Sequence, residues 1–451
     1  MKRRPRKRPT QYTPTLPAGL EGLRGHDIPA ADLLSKGKAL LEAGNPQAAA
    51  EVFMEIDRQY PGHALASHLC GMAFREGAQP ADAAWLLARS IEGVELGASQ
   101  TNLGLCLQDM GRHADAAVCY EKALHLSPTL FLPRLFLGHC QLAQGLVPDA
   151  LVTYTTCLAQ DLTSPEERHN AASAAFYLDR WTEGWDMMEA RLDLPLHKAS
   201  VALPTFPPLW AGEDLAGKTL LVYGEQGHGD TIQMLRYDGW LRELGVWPIW
   251  YIQSTLVSLA KASNLDARPD DGPTPVADYV IRTMSLPKMH GTQPDTIPLP
   301  SGYLPWFARP ECPACPVVGY VEAGSRTHAN DRNRSTVPED WADLFTMPDV
   351  TWVSFTPGRN GFSPRDWLET AERLSECDLL ISVDTGVAHL AGAMGLPCWL
   401  LLPTPPEWRW GLTEDWTPWY DSMKLFRQPV AGDWASVFRE IRKELGGDDV
   451  T

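Results

Sequence analysis

The sequence predicts an array of paired helices followed by two α/β lobes, each built on a parallel sheet. Three observations support this fold class. Glycine and alanine recur at a fixed interval in the first half. In the second half, two segments each begin with an apolar strand that leads into a polar loop. Residues 379–402 then have the pattern of a buried strand, a turn, a helix and a second buried strand.

The first half repeats a helical hairpin. An alanine follows each recurring glycine twelve residues later, and the glycines are 33 or 34 residues apart: Gly37, Gly71, Gly104 and Gly138. A small residue on one helix that faces a small residue on the next allows close antiparallel packing. This is the tetratricopeptide (TPR) pattern, so we predict a TPR α-solenoid.

A fifth, irregular unit ends the array. Gly184 replaces the alanine there, and we expect the neighbouring Trp181 and Trp185 to pack on the residues that follow. Arrays of this kind form a concave groove that holds an extended peptide or a partner's helix. The positions expected to line the groove are mixed in character and specify no ligand: Leu34, Lys38, His68, Met72, Thr101, Leu105, Leu135 and His139.

The second half alternates strands with helices. The predicted strands are residues 219–223, 248–252, 279–281, 317–321, 350–355, 379–383 and 398–402. The predicted helices are residues 231–244, 341–345, 367–377, 387–394 and 434–445, the last with a return to the first lobe as an option. Two Rossmann-like lobes in succession suggest a ligand held between them. The predicted divisions are a basic leader (1–30), TPR repeats (31–195), a first lobe (196–310) and a second lobe (311–451).

The loop of residues 224–230 follows the first strand of the first lobe. It lacks the spacing of a dinucleotide-binding or Walker loop. We expect Gly227 and Gly229 to bring the backbone close to a ligand. Asp230, at the start of the next helix, is either an N-cap or a general base that requires desolvation. His228 is the alternative base, because the ordinary pKa of histidine is nearer neutrality.

Two further loops carry phosphate-binding features. Asp384 or Thr385 should cap the helix after the strand 379–383, and the free N–H groups of its first turn should face the ligand. In the second lobe, residues 324–335 are polar and contain Arg326, Arg332 and Arg334. Arginines beside a helix N-terminus can bind a diphosphate without a metal ion, and no closely spaced carboxylate pair is present to hold a cation. A solvated charge run is the simpler alternative.

Composition restricts the class of protein. The net charge is −17, so we do not expect the body of the protein to bind nucleic acid through its overall field. Six of the first ten residues are basic, so the leader could contact an anionic partner such as DNA or could be only a disordered, solubilising segment. No apolar run approaches the ~20 residues that span a bilayer. The nine cysteines lie mostly in apolar helical contexts, and Cys312-x-x-Cys315 has no second pair, so we expect free thiols in a reducing cytoplasm. The aromatic residues 406–420 could stack on a base or sugar, or fasten the C-terminal helix.

Several segments together resemble one family. They are W-x-E-G-W (181–185), E-Q-G-x-G-D-T (225–231), N-D-R-N-R-S (330–335), D-T-G-V-A-H-L-A-G-A (384–393) and W-R-W (408–410). Behind TPR repeats, they resemble bacterial and phage TPR glycosyltransferases with a GT-B fold. The catalytic half is similar to the heptosyltransferase family (glycosyltransferase family 9), and more distantly to O-GlcNAc transferase and its plant O-fucosyltransferase relative. The resemblance covers the chain from about residue 31.

The resemblance implies an inverting, metal-independent transfer of a sugar from a nucleotide-sugar, which is a co-substrate rather than a cofactor. Asp230 would deprotonate the acceptor on the first lobe, although His228 stands where the family usually has an apolar residue, which leaves the base open between the two. Implied around the donor phosphates are Arg334, Thr385, Gly386, Val387 and His389. The remaining donor-site candidates are Gly227, Gly229, Ser325, Arg332, Asp384 and Ala388.

The acceptor remains open at this point. One option is a protein, such as a surface or flagellar polypeptide, in the TPR groove. The other is modified phage DNA contacted by the basic residues 2–8. A non-catalytic TPR scaffold with a degenerate glycosyltransferase module is the non-enzymatic alternative.

Overall fold

The computed structural model describes residues 31–59, 64–77, 79–93, 97–162, 164–194, 207–225, 227–300, 302–307, 315–325 and 330–446. The basic leader, Cys312 and Arg326 lie outside these residues. The chain divides into two compact units. The first unit ends at Ala174, and the second begins at Ala175. The last helical pair therefore falls partly in the second unit, whereas the repeats were predicted to extend to residue 195.

The first unit consists of paired helices. Their bounds are α1 (Ala31–Glu42), α2 (Pro46–Gln59), α3 (Ala64–Glu76), α4 (Pro80–Gly93), α5 (Gly97–Asp109), α6 (His113–Leu126), α7 (Phe131–Ala143), α8 (Val147–Leu158) and α9 (Pro165–Tyr177), which runs into the second unit. The predicted helical repeat is confirmed.

The packing inside each hairpin adds one detail to the prediction. The recurring glycine makes room chiefly for a large side chain of the second helix, although a Cβ on Gly71 would also lie 3.1 Å from the carbonyl oxygen of the recurring Ala83. A Cβ on Gly104 would lie 2.6 Å from the Tyr120 ring, and one on Gly138 would lie 2.4 Å from the Tyr154 ring. The alanines are buried in the same interface. Gly184 reverses the arrangement, since it lies on the second helix of its pair and faces Phe176 of the first.

Most of the positions assigned to the groove are buried. His68, Met72, Thr101, Leu105 and Leu135 are each less than 9% exposed. The prediction that they line an open groove is therefore wrong for these five positions, and they serve helix packing instead. Lys38 and His139 are partly exposed, and the side chain of Leu34 is outside the described set.

The second unit begins with the end of α9, then α10 (Trp181–Met188), and contains two parallel sheets. The first sheet has the order β3-β2-β1-β4, formed by β1 (Thr219–Tyr223), β2 (Trp247–Ile252), β3 (Ala267–Pro269) and β4 (Tyr279–Arg282). Strand order reverses between β1 and β4, so the loops after these strands diverge at the carboxyl edge. Such a switch point is where open α/β sheets bind ligands.

The second sheet has the order β6-β5-β7-β8-β9 and is also parallel throughout. Its strands are β5 (Val317–Val321), β6 (Thr351–Ser354), β7 (Leu379–Val383), β8 (Cys398–Leu402) and β9 (Met423–Arg427). Its switch point lies between β5 and β7, the two strands that precede the predicted phosphate loops. The α/β architecture of two parallel sheets is confirmed.

Helices connect these strands. They are α11 (His228–Met234), α12 (Asp238–Glu243), α13 (Val257–Ala262), α14 (Leu286–His290), α15 (Asp331–Arg334), α16 (Ala342–Phe345), α17 (Trp367–Leu374), α18 (Gly386–Met394) and α19 (Trp434–Glu444). The single helix predicted over residues 231–244 is instead broken by a 3₁₀ turn, Leu235–Tyr237.

The C-terminal helix stays with the second sheet. In α19, Phe438 packs edge-on against Trp341, with ring centroids 5.1 Å apart. Arg442 Nη1 donates to the carbonyl of Asp343 at 2.7 Å. Both partners belong to the second lobe, so α19 does not return to the first lobe.

Candidate functional site

The loop after β1 is held by a buried ion pair. Glu225 accepts two hydrogen bonds from Arg191, at 2.8 and 2.9 Å, and a third from the backbone N–H of Met284 at 2.8 Å. Arg191 is only 3% exposed. Because Met284 follows β4, Glu225 joins the two loops at the switch point of the first sheet. It thereby fixes the start of α11, which carries Asp230.

Asp230 lies in the first turn of α11 and pairs with an arginine of the second lobe. Its Oδ1 accepts a hydrogen bond from Arg409 Nη2 at 2.5 Å. Its Oδ2 lies 2.1 Å from the position that a Cβ on Gly227 would occupy. Gly227, predicted to admit a ligand, therefore makes room for the Asp230 carboxylate. The Asp230 side chain remains 34% exposed.

His228 faces other neighbours. Its Nε2 lies 3.1 Å from Thr255 Oγ1, and its ring centroid is 5.7 Å from that of Trp367. Burial lowers the pKa of His228, an effect partly opposed by the nearby Asp270. His228 and Asp230 thus project from one helical turn toward different surroundings.

The first turns of α11 and α18 are in van der Waals contact. A Cβ on Gly229 would lie 2.7 Å from His389 Cδ2 and 3.3 Å from Gly386 Cα. A Cβ on Gly386 would lie 2.7 Å from the Trp367 ring. Gly229 therefore permits the close approach of two helices from different lobes, whereas Gly386 makes room for Trp367 of its own lobe. Asp230 and the start of α18 are consequently close together.

Thr385 precedes α18 with an extended backbone, but its side chain does not cap the helix. Its Oγ1 instead lies 3.2 Å from Ser382 Oγ. Thr385 is thus the N-cap residue, one of the two that were predicted, but it does not cap the helix through its side chain. The N–H groups of Gly386, Val387 and Ala388 form the first turn of this helix, where anions bind favourably.

His389 points inward from α18. It is 6% exposed, and its Nδ1 lies 2.9 Å from Tyr420 Oη. Burial first, and then the positive charges of Arg409, Arg236 and Arg334, hold the pKa of His389 well below its ordinary value. The imidazole is therefore neutral near pH 7. Because these charges act on His389, both Arg409 and Arg334 lie in its vicinity.

The loop after β5 presents Arg334. The Arg334 guanidinium folds over Gly324, where a Cβ would lie 2.5 Å from Nη2. Its Nε is buried and has no hydrogen-bond partner among the described residues, with the carboxylate of Asp331 3.7 Å away. Ser335 Oγ accepts from the backbone N–H of Gly324 at 3.0 Å, which ties the two ends of the loop together. Arg332 and Ser325 are exposed on the same loop.

Three carboxyl groups surround Arg409. Glu407 accepts from Arg409 Nη1 at 2.7 Å and from its backbone N–H at 2.9 Å. Burial raises the pKa of Glu407 to about 7, opposed by Arg409 and reinforced by Asp384 and Asp230. One guanidinium thus neutralises a group of acids contributed by both lobes.

Aromatic residues of the segment 406–420 pack against the last helical pair, α9 and α10. Trp408 stacks on Phe176 with ring centroids 4.1 Å apart, and Trp181 stacks on Trp419 at 5.7 Å. Trp185 completes the cluster. The expectation that Trp181 and Trp185 pack on later residues is confirmed. The sequence pattern offers no signal for Arg409 except its position between two tryptophans.

Comparison with known proteins identifies one module. Residues 98–130, which contain α5 and α6, match the tetratricopeptide repeat family. This hairpin is a TPR repeat. Two other hairpins share its packing of a glycine against a ring, at Gly37 and Gly138, and Gly71 packs against Leu87 in the same way.

The chain is also similar to the protein FlbA of Caulobacter vibrioides, with 23% identity over 95% of this chain and 80% of FlbA. Among solved structures, YrrB, a TPR protein with an unusual peptide-binding site, is 17% identical with a TM-score of 0.29, covering 41% of this chain and 98% of that one. TTC0263, a TPR protein of Thermus thermophilus, is 15% identical with a TM-score of 0.33, covering 38% and 93%.

Two features are absent from the described residues. None of their helices has the length and apolar character needed to cross a bilayer. They also contain no group of three or more His, Cys, Asp or Glu side chains that could hold a metal ion.

Proposed function

We propose that the chain is an inverting, metal-independent glycosyltransferase of the GT-B type, with the TPR repeats helping to select the acceptor. The observation that carries the proposal is the contact between α11 and α18. It brings Asp230, at the carboxyl edge of the first sheet, beside the N–H groups that start α18 at the edge of the second sheet. Both edges are switch points, where α/β sheets bind ligands.

The reaction is a single displacement. The Asp230 carboxylate takes the proton of an acceptor hydroxyl, and the acceptor oxygen bonds to the anomeric carbon of the donor sugar. The bond from that carbon to the nucleoside diphosphate breaks, and its electron pair leaves with the diphosphate. General-base catalysis of this kind contributes about 10²–10⁴-fold to rate.

The second lobe supplies the charge stabilisation that the departing diphosphate needs. The N–H groups of Gly386, Val387 and Ala388 begin a helix whose cap residue makes no side-chain hydrogen bond to them. Arg334 has a buried Nε without a partner among the described residues. A guanidinium and a helix N-terminus together can hold a diphosphate through charge-assisted hydrogen bonds.

A protein is the proposed acceptor class. The support is the match of residues 98–130 to the tetratricopeptide repeat, a module that presents surfaces to peptides and partner helices. The basic residues 2–8, on which DNA binding would depend, lie outside the described residues.

The first experiment is a nucleotide screen. Purified chain is heated with UDP, GDP, ADP, CDP or dTDP in the presence of EDTA, and Tm is recorded. A binding nucleotide at 100 times its Kd should stabilise the chain by about 2.7 kcal/mol. Arg334→Gln should abolish the shift, whereas Arg365→Gln, an exposed arginine of the same lobe, should retain it. Absence of a shift with every nucleotide would reject the donor site.

The second experiment measures turnover of the sugar nucleotide that corresponds to the stabilising base. Asp230→Asn should lower kcat by about 10²-fold or more while the nucleotide-induced Tm shift persists. Glu243→Gln, an exposed acid on α12, is the control and should keep full turnover. His228→Gln distinguishes the two candidate bases: if this variant alone loses turnover, His228 is the base.

A further inference from the structure

Arg409 joins the two lobes through its side chain. Nε donates to Gln233 Oε1 at 2.8 Å and Nη2 donates to Asp230 Oδ1 at 2.5 Å, both on α11. Nη1 donates to Glu407 Oε1 at 2.7 Å within the second lobe. Arg409 itself is 8% exposed. Each nitrogen of the guanidinium therefore has an acceptor, and two of the three acceptors belong to the helix of the proposed base.

The arrangement fixes the direction of the Asp230 carboxylate. A planar guanidinium bonded at three nitrogens cannot rotate without breaking several bonds, so its Nη2–H has a fixed aim. Asp230 Oδ1 is held by that N–H, and Oδ2 lies over Gly227, where a side chain would collide with it. With one oxygen held, Oδ2 is the oxygen left to accept a proton.

The backbone of Arg409 is also anchored. Trp408, the preceding residue, stacks on Phe176 and packs against Trp185. The Arg409 guanidinium lies 4.7 Å from the centroid of the Trp408 ring. On the other side, Trp410 packs against His389 of α18, with ring centroids 5.3 Å apart. Arg409 is thus set by aromatic contacts to the last helical pair and to the phosphate-side helix.

We infer that Arg409 is the positioning residue for Asp230: it crosses from the second lobe to orient the base toward the acceptor hydroxyl. This inference rests on the proposed function, because Asp230 must be the base for its orientation to matter. Arg409 touches neither sugar nor phosphate in this role. Its loss should therefore slow turnover without weakening binding of the donor.

The test compares Arg409→Gln with Arg236→Gln in the full chain. Arg236 is a matched control, because it is 1% exposed and also links the lobes, through Nη1 to the carbonyl of Trp419 at 2.9 Å, but contacts no carboxylate among the residues that the structure describes. Turnover is measured with the sugar nucleotide that the wild-type chain uses. Arg409→Gln should lower kcat by about 10²-fold, as expected for a misplaced catalytic group, with KM for the donor changed less than about threefold. Arg236→Gln should lose Tm but keep kcat within about threefold of wild type.

Arg409→Lys tests whether the planar guanidinium is required. An ammonium keeps the charge but cannot hold Gln233, Asp230 and Glu407 together. It should recover only part of kcat. Equal kcat losses in Arg409→Gln and Arg236→Gln, or full turnover in Arg409→Lys, would overturn the inference. A rise in donor KM as the main effect would also overturn it, because Arg409 would then act on the donor.

A second measurement does not depend on activity. The Tm losses of Arg409→Lys, Asp230→Asn and the double variant form a cycle, in which residues in direct contact give a double loss smaller than the sum. Additive losses would show that the two side chains do not interact in solution and would overturn the inference. If the losses are non-additive but the wild-type chain turns over no sugar nucleotide, the proposed function fails. The ion pair between Arg409 and Asp230 would then only stabilise the contact between the lobes.

Discussion

Gly229→Ala places a methyl group in the contact between α11 and α18. The new Cβ would lie 2.7 Å from His389 Cδ2 and 3.3 Å from Gly386 Cα, whereas carbon atoms pack best at about 3.5–4.0 Å. The His389 ring has little freedom to move, because its Nδ1 is hydrogen-bonded to Tyr420 and its face packs against Trp410. The helices must therefore separate by several tenths of an ångström.

The magnitude follows from two opposing effects. Overpacking of this kind costs about 1–3 kcal/mol. Replacing glycine by alanine inside a helix stabilises the folded state by about 0.5–1 kcal/mol. The net loss should be about 0–2.5 kcal/mol, which lowers Tm by up to about 10 °C at roughly 2–4 °C for each kcal/mol. Since the helices also carry the proposed base and the phosphate-side turn, kcat should fall further than stability alone explains.

Gly239→Ala is the matched control. Gly239 lies in α12, and a Cβ there meets no heavy atom within 4 Å. It should raise Tm by about 1–4 °C through helix propensity alone. Calorimetry of both variants with the wild-type chain checks the prediction. If Gly229→Ala is as stable as Gly239→Ala, the close approach of the two helices is not a feature of the protein in solution.

Three further predictions concern stability. Burial lowers the pKa of His68 to about 4, so below pH 6.5 the unfolded chain binds a proton that the native state does not. The unfolding free energy should fall by up to about 3 kcal/mol from this group as pH drops to about 4, and His68→Gln should flatten that part of a Tm-against-pH curve. Burial raises the pKa of Glu407 to about 7, so its contribution has the opposite sign: native stability falls as pH rises from 4.5 to 7, and Glu407→Gln should gain Tm relative to wild type over that range. Gly138→Ala, with its Cβ 2.4 Å from the Tyr154 ring, should destabilise the repeats by about 1–3 kcal/mol in urea unfolding, and an unchanged midpoint would contradict the observed packing.

The central strands could be predicted to the residue because they are buried on both faces. β1, β5, β7 and β8 are predominantly apolar runs, which the sequence shows directly. The missed strands, β3 and β9, are at the edges of their sheets. β3 is three residues long, and β9 includes a lysine and an arginine, so neither has the composition of a buried strand.

The broken helix after the first loop has a tertiary cause. Asp238 is buried and accepts from Trp250 Nε1 at 2.8 Å, and Arg236 bonds the carbonyl of Trp419. Both partners lie outside residues 231–244, so the local periodicity of that segment predicts one helix. The 3₁₀ turn between Leu235 and Tyr237 allows both polar side chains to reach their partners.

Contacts between residues far apart in the sequence also limited the prediction of the candidate site. Loop position and residue type predicted Asp230, Arg334 and the start of α18 as candidate site residues. They could not reveal Arg409, because its contact with Asp230 spans 179 positions of the chain. Local spacing carries information about helix turns and strand ends, but not about which loops of two lobes meet.

The glycines of the site and those of the repeats are used in the same way. Gly104 makes room for Tyr120 inside a helical hairpin, and Gly229 makes room for His389 between two lobes. A glycine in a polar loop therefore does not by itself indicate a bound ligand, even where the loop lies at a switch point. The proposed diphosphate site therefore rests on the first turn of α18 and on Arg334, neither of which depends on a missing side chain. Substitutions at Gly229 and Gly386 should accordingly change stability and turnover together. Substitution of Arg334 should change nucleotide binding alone, and this separation distinguishes a donor site from an interface between lobes.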